Sequence, residues 1–563
     1  MMRSMIIIAA ALSAALPLAA LAQSSDDLKN AEKNPENVLI YGMGYSANRY
    51  SPLTQITKEN VGKLVPTWSY SLSDLNGGEA FPIIDNGVIY ITTHDSTAAV
   101  DALTGKQIWR VKHEYPPATL RVVCCGIVNR GAAIYDGMII RGLMDDRIVA
   151  LDAKTGKQVW EAKSPDPATP ANGYAMTGAP LIVKGIVIVG VAGAEFSNRG
   201  FIEAYDAKTG KHLWRDYTIP AKGDEPGAET WQGDSYLTGG GSSWVTGSYD
   251  PDLDLVFWGV GNPAPWNPRA RAGDNLFTNS VWAIRPETGE RVWYYQASPH
   301  DPFDFDAVGT PINATVNVGG EPKKVVIQAN RNGFLYVLDA KTGKLLAANP
   351  FGKVNWASAI DMKTGRPVYT DVYKGAVTGE KVTVWPSVSG VTNWQSFSYS
   401  SRTKLAYINI INVGMTYQAP EPPKLKPGQP SGVPTVKRSV VTEDPNVRGY
   451  LEAVDPLTGK VKWKTPYRSP NFSSTMVTAS DLVFTGVMTG EFQALDADTG
   501  KILWSFQTPS GIVGQPVTWE KDGKQYVTVL SGLGGVYAQH GGDPNLQDLP
   551  TGMTLWTFAL FNK

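Results

Sequence analysis

Apolar residues gather along this chain in short runs bounded by turn-forming residues. Val325-Val326-Ile327 and Phe334-Leu335-Tyr336-Val337-Leu338 are examples, and such runs suit strands. The stronger pattern is a phrase that recurs: an apolar residue, Asp, two variable positions, Thr-Gly-Lys, a variable position, a mostly apolar position and Trp. It runs from Val100-Asp101 to Trp109, Leu151-Asp152 to Trp160, Tyr205-Asp206 to Trp214, Val454-Asp455 to Trp463 and Leu495-Asp496 to Trp504. Two variants lie between them. Ile284-Arg285 to Trp293 keeps Thr288-Gly289 without the Asp, and Leu338-Asp339 keeps Thr342-Gly343 with Ala347 at the Trp position. Successive Asp-equivalent positions are 51, 54, 79, 54, 116 and 41 residues apart, so the two long gaps have room for a degenerate or interrupted unit, and eight units is the natural total.

Each phrase reads as strand, turn, strand, with Asp-x-x-Thr-Gly supplying the turn and its Gly the positive φ. One hairpin cannot bury its own apolar face. Units of about 40 to 50 residues, each of four short strands and repeated around an axis, bury sheet against sheet and leave only short protected edges. The expected fold is therefore all-β, an eight-bladed β-propeller. Its recurring tryptophans, Trp109, Trp160, Trp214, Trp293, Trp463 and Trp504, are expected to pack between neighbouring blades.

The N-terminus carries a different pattern. Arg3 precedes an apolar run from Met5 to Ala15, then Pro17 and Ala20-Leu21-Ala22, which reads as a secretory signal peptide over residues 1–22. The run is shorter than the roughly 20 apolar residues a membrane span needs. Polar Gln23-Ser24-Ser25-Asp26-Asp27 follows, so no transmembrane anchor is expected, and residues 23–563 form a single propeller domain. Export to an oxidising compartment would allow the adjacent Cys124 and Cys125 to pair with each other.

Composition narrows the function. With 563 residues, 42% hydrophobic and 18% charged, the chain is folded and not disordered. Its 51 basic and 52 acidic residues give a net charge of −1 with no Lys/Arg run, which excludes a nucleic-acid partner. Two cysteines and five histidines are too few for a thiolate zinc site or an attached haem.

A tryptophan-docked propeller behind a signal peptide, with adjacent cysteines, resembles the pyrroloquinoline quinone (PQQ) dependent alcohol dehydrogenases of the haem-free type, and within them the lanthanide-dependent branch. The resemblance runs from Asn34 to Phe561. Its specific pieces are Cys124-Cys125 through Arg130-Gly131, Gly193-Ala194-Glu195-Phe196, Gly261-Asn262 through Trp266-Asn267, His300-Asp301 through Asp304-Phe305-Asp306, and Asn330-Arg331-Asn332-Gly333, in the family's order.

By composition alone Glu195, Asn262 and Asp304 are ordinary loop polarity. The resemblance makes them hard oxygen ligands of the metal beside PQQ, suited to Ca²⁺ or a trivalent cation and not to zinc. Asp306 is an extra carboxylate, as in lanthanide-dependent members, and a third negative charge favours lanthanide(III) over Ca²⁺ on Coulomb grounds. The resemblance further implies that Asp304 is the catalytic base, taking the substrate hydroxyl proton as hydride leaves the carbinol carbon for the C5 carbonyl of PQQ. The metal and Arg331 would stabilise the charge that grows on that oxygen.

PQQ is flat, aromatic and tricarboxylate, so it needs two faces and polar anchors. By the resemblance, Trp244 supplies one face and a disulfide between Cys124 and Cys125 the other. Glu79, Arg130, Thr177, Ala194, Arg331 and Asn393 complete the cofactor contacts. Three positions depart from the methanol-oxidising pattern: Phe472 lies in a region where the family has a Trp, Leu533 replaces a second Trp, and Leu143 replaces a cofactor-contacting Thr. The two smaller walls predict a cavity enlarged near Phe472 and Leu533. An insertion with Pro420, Pro422, Pro423, Pro427, Pro430 and Pro434 reads equally as a surface loop and as a cover over the active site.

The resemblance thus implies a periplasmic enzyme that oxidises an alcohol to an aldehyde or ketone. Electrons would pass to a separate periplasmic c-type cytochrome, because this sequence has no Cys-x-x-Cys-His to attach a haem. It also admits a homodimer. Two rivals share the architecture: a sugar, polyol or bulky secondary-alcohol dehydrogenase, and a noncatalytic propeller scaffold of outer-membrane assembly. The metal-ligand set and the adjacent cysteines weigh against the scaffold.

Overall fold

The computed structural model describes residues 23–121, 123–164, 173–422, 424–426 and 429–561; the expected signal peptide lies outside them. Consecutive antiparallel strands pair in order. Ile83–Asp85, Val88–Thr92, Ser96–Asp101 and Gln107–Lys112 form a first sheet. The arrangement repeats from Ala133–Tyr135 to Gln158–Lys163, from Leu181–Val183 to His212–Tyr217, from Ser248–Asp250 to Arg291–Gln296 and from Ile312–Val318 to Leu345–Pro350. A sixth sheet holds Ser398–Ser400, Leu405–Ile411, Gly449–Val454 and Val461–Tyr467. A seventh runs from Met476–Thr478 to Ile502–Gln507, with Tyr50–Ser51 added in parallel. The eighth joins both ends of the chain: Val517–Lys521, Lys524–Ser531 and Thr554–Leu560 are completed by Leu64–Ser71 as the outermost strand. The fold is an all-β, propeller-type one, and no helix among the described residues is long and apolar enough to cross a membrane.

Burial explains the strand sequences. Second strands such as Met138–Gly142 and Leu255–Gly259 are buried throughout, because sheets cover both faces, and so they read as continuous apolar runs. Fourth strands are more exposed; in Gln107–Lys112 and Gln158–Lys163 the one buried residue is the tryptophan.

The recurring phrase closes a turn and then clamps the next sheet. Asp101 Oδ1 accepts from the backbone N–H of Leu103 and Thr104 and from the Thr104 hydroxyl, while Gly105 N–H donates to the Asp101 carbonyl. Asp152, Asp206 and Asp339 do the same with Thr155, Thr209 and Thr342. Arg285 keeps only the backbone bond, from Gly289 N–H at 2.9 Å. The indole N–H of Trp109 donates to the Ala153 carbonyl at 2.9 Å, that of Trp160 to Ala207 at 3.1 Å, Trp214 to Pro286 at 2.9 Å, Trp293 to Ala340 at 3.1 Å and Trp463 to Ala497 at 2.9 Å. Each ring lies over the glycine of that turn.

Three docking contacts fall outside the pattern. Trp68, from the closing strand, donates to the Ala102 carbonyl at 2.9 Å. Trp504 reaches the Leu64 carbonyl at 3.1 Å and not a turn, because the eighth sheet opens its outer strand with the chain's own start. At the fifth sheet, where Ala347 replaces Trp, Asn349 Nδ2 donates to the Leu457 carbonyl at 3.1 Å beside Gly459. The chain leaves the repeat at length twice in this region, before the first strand of the sixth sheet and again between its second and third strands. A hairpin of Ala357–Ile360 and Pro367–Tyr369, the helix Asp371–Thr378 and a sheet of Val382–Val384, Gly414–Gln418 and Lys437–Val441 fill most of the 116-residue gap. Pro423 and Pro427 lie outside the described residues.

Two glycines separate the costs at these turns. Gly500 (φ +73°) has Trp463 2.4 Å from where its Cβ would stand, whereas Gly523 (φ +71°) has nothing within 4 Å. Alanine in the left-handed region costs about 1–2 kcal/mol at either position. Overpacking against the indole should add about 1–3 kcal/mol at Gly500 alone. Denaturant unfolding of Gly500→Ala and Gly523→Ala is expected to show that excess, and equal losses would mean that Trp463 is not clamped on the turn.

Candidate active site

A cavity of about 290 Å³ is walled by short segments that enter successive sheets just ahead of their first strands. Glu79 precedes Ile83–Asp85, Arg130 precedes Ala133–Tyr135, Thr177 precedes Leu181–Val183, and Trp244 precedes Ser248–Asp250. Asp304 and Asp306 precede Ile312–Val318, and Asn393 precedes Ser398–Ser400. These connections all cross the same end of the sheets, so residues as far apart in sequence as Glu79 and Asn393 converge there. Glu195, on the turn Ala194–Phe196, and Arg331, between two strands of the fifth sheet, complete the wall.

The loop carrying Asp304 is built around Asp301. Asp301 Oδ1 accepts from Phe303 N–H at 2.8 Å and its Oδ2 from Phe305 N–H at 2.6 Å and Asn279 Nδ2 at 2.9 Å. This holds Asp304 at φ +65°, a sparsely populated conformation of the kind that surrounding structure fixes at functional sites. Arg331 then grips it: Nη1 donates to the Asp304 carbonyl at 2.9 Å and to Oδ2 at 3.1 Å, and Nη2 donates to Asn393 Oδ1 at 3.1 Å. Asp306 Oδ2 pairs with Arg331 Nη2 at 3.3 Å and accepts from Trp244 Nε1–H at 3.1 Å, and its Oδ1 accepts from Asn262 N–H at 2.5 Å. A Cβ on Gly261 would stand 2.5 Å from Asp306 Oδ1, so only glycine lets the carboxylate approach.

Asp304 and Asp306 therefore share one guanidinium, whose charge also acts on the nearby Glu195 carboxylate. Burial, with repulsion from Asp306, pushes Glu195 up to about 7. Burial also raises Asp304 well above the ordinary carboxylate range, against the pull of Arg331. Asn262 Oδ1 and Asp304 Oδ1 are buried with no hydrogen-bond partner. Orphaned acceptors and excess negative charge are what a bound cation resolves, and oxygen donors of this kind fit a hard ion. To ligate that ion, Asp306 would exchange one of its present partners for it.

The rest of the wall fits a flat polyanion. Arg130 pairs with Glu79 Oε2 at 2.8 Å and donates to Thr177 Oγ1 at 2.9 Å, and its guanidinium lies 4.5 Å from the Trp244 ring centroid and 5.0 Å from that of Trp394. The Nε atoms of Arg130 and Arg331 are buried without an acceptor. Cys124 and Cys125 are joined as a disulfide on the cavity wall, their sulfurs within 4.8 Å of a Glu195 carboxylate oxygen. An oxidised pair is a wall and not a thiolate ligand. Ala194 and Asn262 stand behind the surface, both 1% exposed.

The cavity differs from expectation at the substituted walls. Phe472 and Leu533 do not reach it: both are 3% exposed, packed with Met488, Val513 and Leu546. Tyr537 stacks on Phe472 with centroids 5.2 Å apart and itself lines the cavity, filling the space that smaller side chains would have opened. Leu143 is fully buried away from the cavity as well. The proline-rich insertion is a cover: Pro430, Gly432 and Pro434 line the cavity, and Ser431 N–H donates to the Glu195 carbonyl at 2.6 Å while its hydroxyl donates to the Ala194 carbonyl at 3.0 Å. Residues outside the sequence reading include Asp301, Trp394, Tyr537 and Arg438. Asp301 had a signal, an Asp followed within four residues by backbone it can cap; Arg438 had none.

A propeller-type sheet ring whose cavity presents orphaned oxygens to a cation and orphaned guanidinium donors to an anion is a cofactor-dependent enzyme site. The glucose/ethanol/alcohol dehydrogenase β-propeller domain model of the PQQ proteins matches residues 39–354 and 446–527. The quinohemoprotein alcohol dehydrogenase ADH IIB of Pseudomonas putida is 42% identical over 98% of this chain and 81% of its own length. The lanthanide-dependent methanol dehydrogenase of Methylorubrum extorquens is 37% identical over 93% of this chain and 92% of its own. The structure of a europium-containing methanol dehydrogenase superposes with a TM-score of 0.88 at 33% identity, covering 95% of this chain and all of the other. The chain belongs to the PQQ-dependent alcohol dehydrogenase family.

Titrating La³⁺ or Ca²⁺ into metal-free protein is expected to raise its thermal midpoint, the stabilisation reaching about 2.7 kcal/mol at a hundredfold excess over Kd. Glu195→Gln and Asp304→Asn should each weaken that response. A midpoint that ignores both ions, or responds alike in the variants, would place no cation on these oxygens.

Proposed function

We propose that this protein is a periplasmic PQQ-dependent dehydrogenase that oxidises alcohols to aldehydes or ketones and delivers the electrons to a separate c-type cytochrome. On this reading residues 1–22 are removed on export, and residues 23–563 form one domain of eight blades joined by the docking tryptophans. The observation that carries it is the oxygen set Glu195, Asp304 and Asp306 in a cavity shared with Trp244 and the Cys124–Cys125 disulfide, with Asn262 just behind its wall and Arg331 gripping Asp304 and Asp306. A noncatalytic scaffold has no use for buried, unpaired acceptors.

When bound, PQQ supplies the acceptor for hydride and the cation a Lewis acid beside it. Arg331 occupies Asp304 Oδ2, which leaves Oδ1 as the base for the substrate hydroxyl proton. The same arginine keeps one donor, Nε–H, without an acceptor, and it would stabilise oxygen that gains charge during the reaction. Trp244, with Glu79, Arg130, Thr177, Ala194 and Asn393, would hold PQQ. Glu195, Asn262 and Asp304 would hold the cation, and Asp306 would bring a third carboxylate that favours a lanthanide(III) over Ca²⁺. Likeness to a lanthanide-dependent methanol dehydrogenase supports that preference.

Reconstitution with PQQ and either La³⁺ or Ca²⁺, followed by dye-linked oxidation of a panel of alcohols, tests the reading. Asp304→Asn is expected to abolish turnover with either ion while leaving the protein folded, and near-normal rates in the loaded variant would remove Asp304 from the chemistry. Asp306→Ala should depress lanthanide-supported turnover by at least about tenfold more than calcium-supported turnover, the scale of one charged contact; equal losses would end the case for a trivalent ion. Stopped-flow mixing of substrate-reduced enzyme with a periplasmic c-type cytochrome should show haem reduction, and a cytochrome that stays oxidised while a quinone is reduced would name a different acceptor.

A further inference from the structure

Three guanidiniums line the cavity, and two have carboxylate partners. Arg130 pairs with Glu79, and Arg331 with Asp304 and Asp306. The third is Arg438, on the inserted strand Lys437–Val441. Among the described residues its side chain has no ion pair and no hydrogen bond; its Cζ lies 5.7 Å from the Trp266 ring centroid, a cation–π contact. The Nε of Arg438 and the Nε1 of Trp266 are both buried without an acceptor. Burial weakens the guanidinium's hold on its proton, and the charge of Asp304 acts against that. The surroundings contributed by the insertion, Pro430, Pro434 and Val440, offer it no oxygen side chain.

A guanidinium with no ion pair, next to an indole whose N–H has no acceptor, is placed to receive an anion from the cavity. We propose that Arg438 is a specificity residue that binds a carboxylate on the substrate, so that the preferred alcohols are hydroxy acids, with the hydroxyl at Asp304 and the carboxylate at the covered side of the cavity. The planar fork of arginine matches a carboxylate bidentately. This inference rests on the dehydrogenase reading above and adds a substrate class to it. A carboxylate of PQQ is the other source of the same chemistry. It is disfavoured because Arg438 lies with Trp266 and the insertion, whereas Trp244 has Arg130 at hand.

The test compares para-(hydroxymethyl)benzoate with para-methylbenzyl alcohol, a charged and a neutral substrate of one shape, in enzyme loaded with PQQ and La³⁺. In Arg438→Gln the ratio of kcat/KM for the acid to that for the neutral alcohol is expected to fall by about tenfold or more. The loss should sit in KM, and Arg438→Lys should restore part of it. In the unmodified enzyme, KM for the acid should rise with ionic strength while KM for the neutral alcohol does not. A fluorescence titration of PQQ into each variant separates the two carboxylate sources. An unchanged ratio together with a salt-independent KM overturns the proposal, as does a loss of PQQ affinity in place of substrate discrimination. Oxidation of the neutral alcohol with no discrimination leaves the dehydrogenase reading standing, whereas a loaded enzyme that oxidises neither substrate overturns both.

Discussion

An indole laid on a glycine at positive φ, its N–H on the carbonyl of the same turn, is the contact on which the architecture depends. Isolated four-stranded sheets expose edges and two apolar faces. The tryptophan fastens the outer strand of one sheet to the turn of the next, and the paired faces between them close over the core. The ring is completed without a repeat at the seam: Leu64–Ser71 pairs with Thr554–Leu560, Trp68 docks forward on Ala102, and Trp504 docks on Leu64. With every sheet fixed in the same sense, the segments entering the sheets are delivered to one end, and the cavity is the place where they meet.

Much of this was legible because the information is local. Asp, Thr and Gly of each turn bond within five residues of one another, so their spacing is a direct record of geometry. Trp68 escaped because its strand precedes the first turn and carries no phrase, and Asn349 because an amide replaces an indole by function and not by resemblance. The oxygens Glu195, Asp304 and Asp306 were legible only through the order of their motifs, since nothing in the spacing from 195 to 306 says that they meet. Phe472 and Leu533 show the converse limit. A smaller residue reads as added space, but space in a core is settled by non-local neighbours, and Tyr537 occupies it.

Electrostatics in the cavity is organised in two layers. Asp301 spends its charge on backbone N–H groups and so acts as scaffolding, while Asp304, three residues on, is left with one oxygen unsatisfied. The two acids of one loop differ in partners: Asp301 is satisfied by N–H groups, whereas Asp304 has Arg331 on one oxygen and nothing on the other. Arg331 ties Asp304, Asp306 and Asn393 together, so a shift of any one of them moves the others. Such a network is stiff where it is satisfied and demanding where it is not.

The insertion within the sixth sheet touches the molecule in two unlike ways. Its strand ends return to Leu405–Ile411 and Gly449–Val454, which pair as though nothing stood between them. Its tip meanwhile bonds through Ser431 to the main chain of Ala194 and Glu195. Lengthening or shortening this segment is thus almost free for the ring but not for the turn that presents Glu195. A change of length in the cover would be felt in two places at once, in the wall formed by Pro430, Gly432 and Pro434 and in the backbone that presents Glu195, so the wall and the turn are mechanically one part.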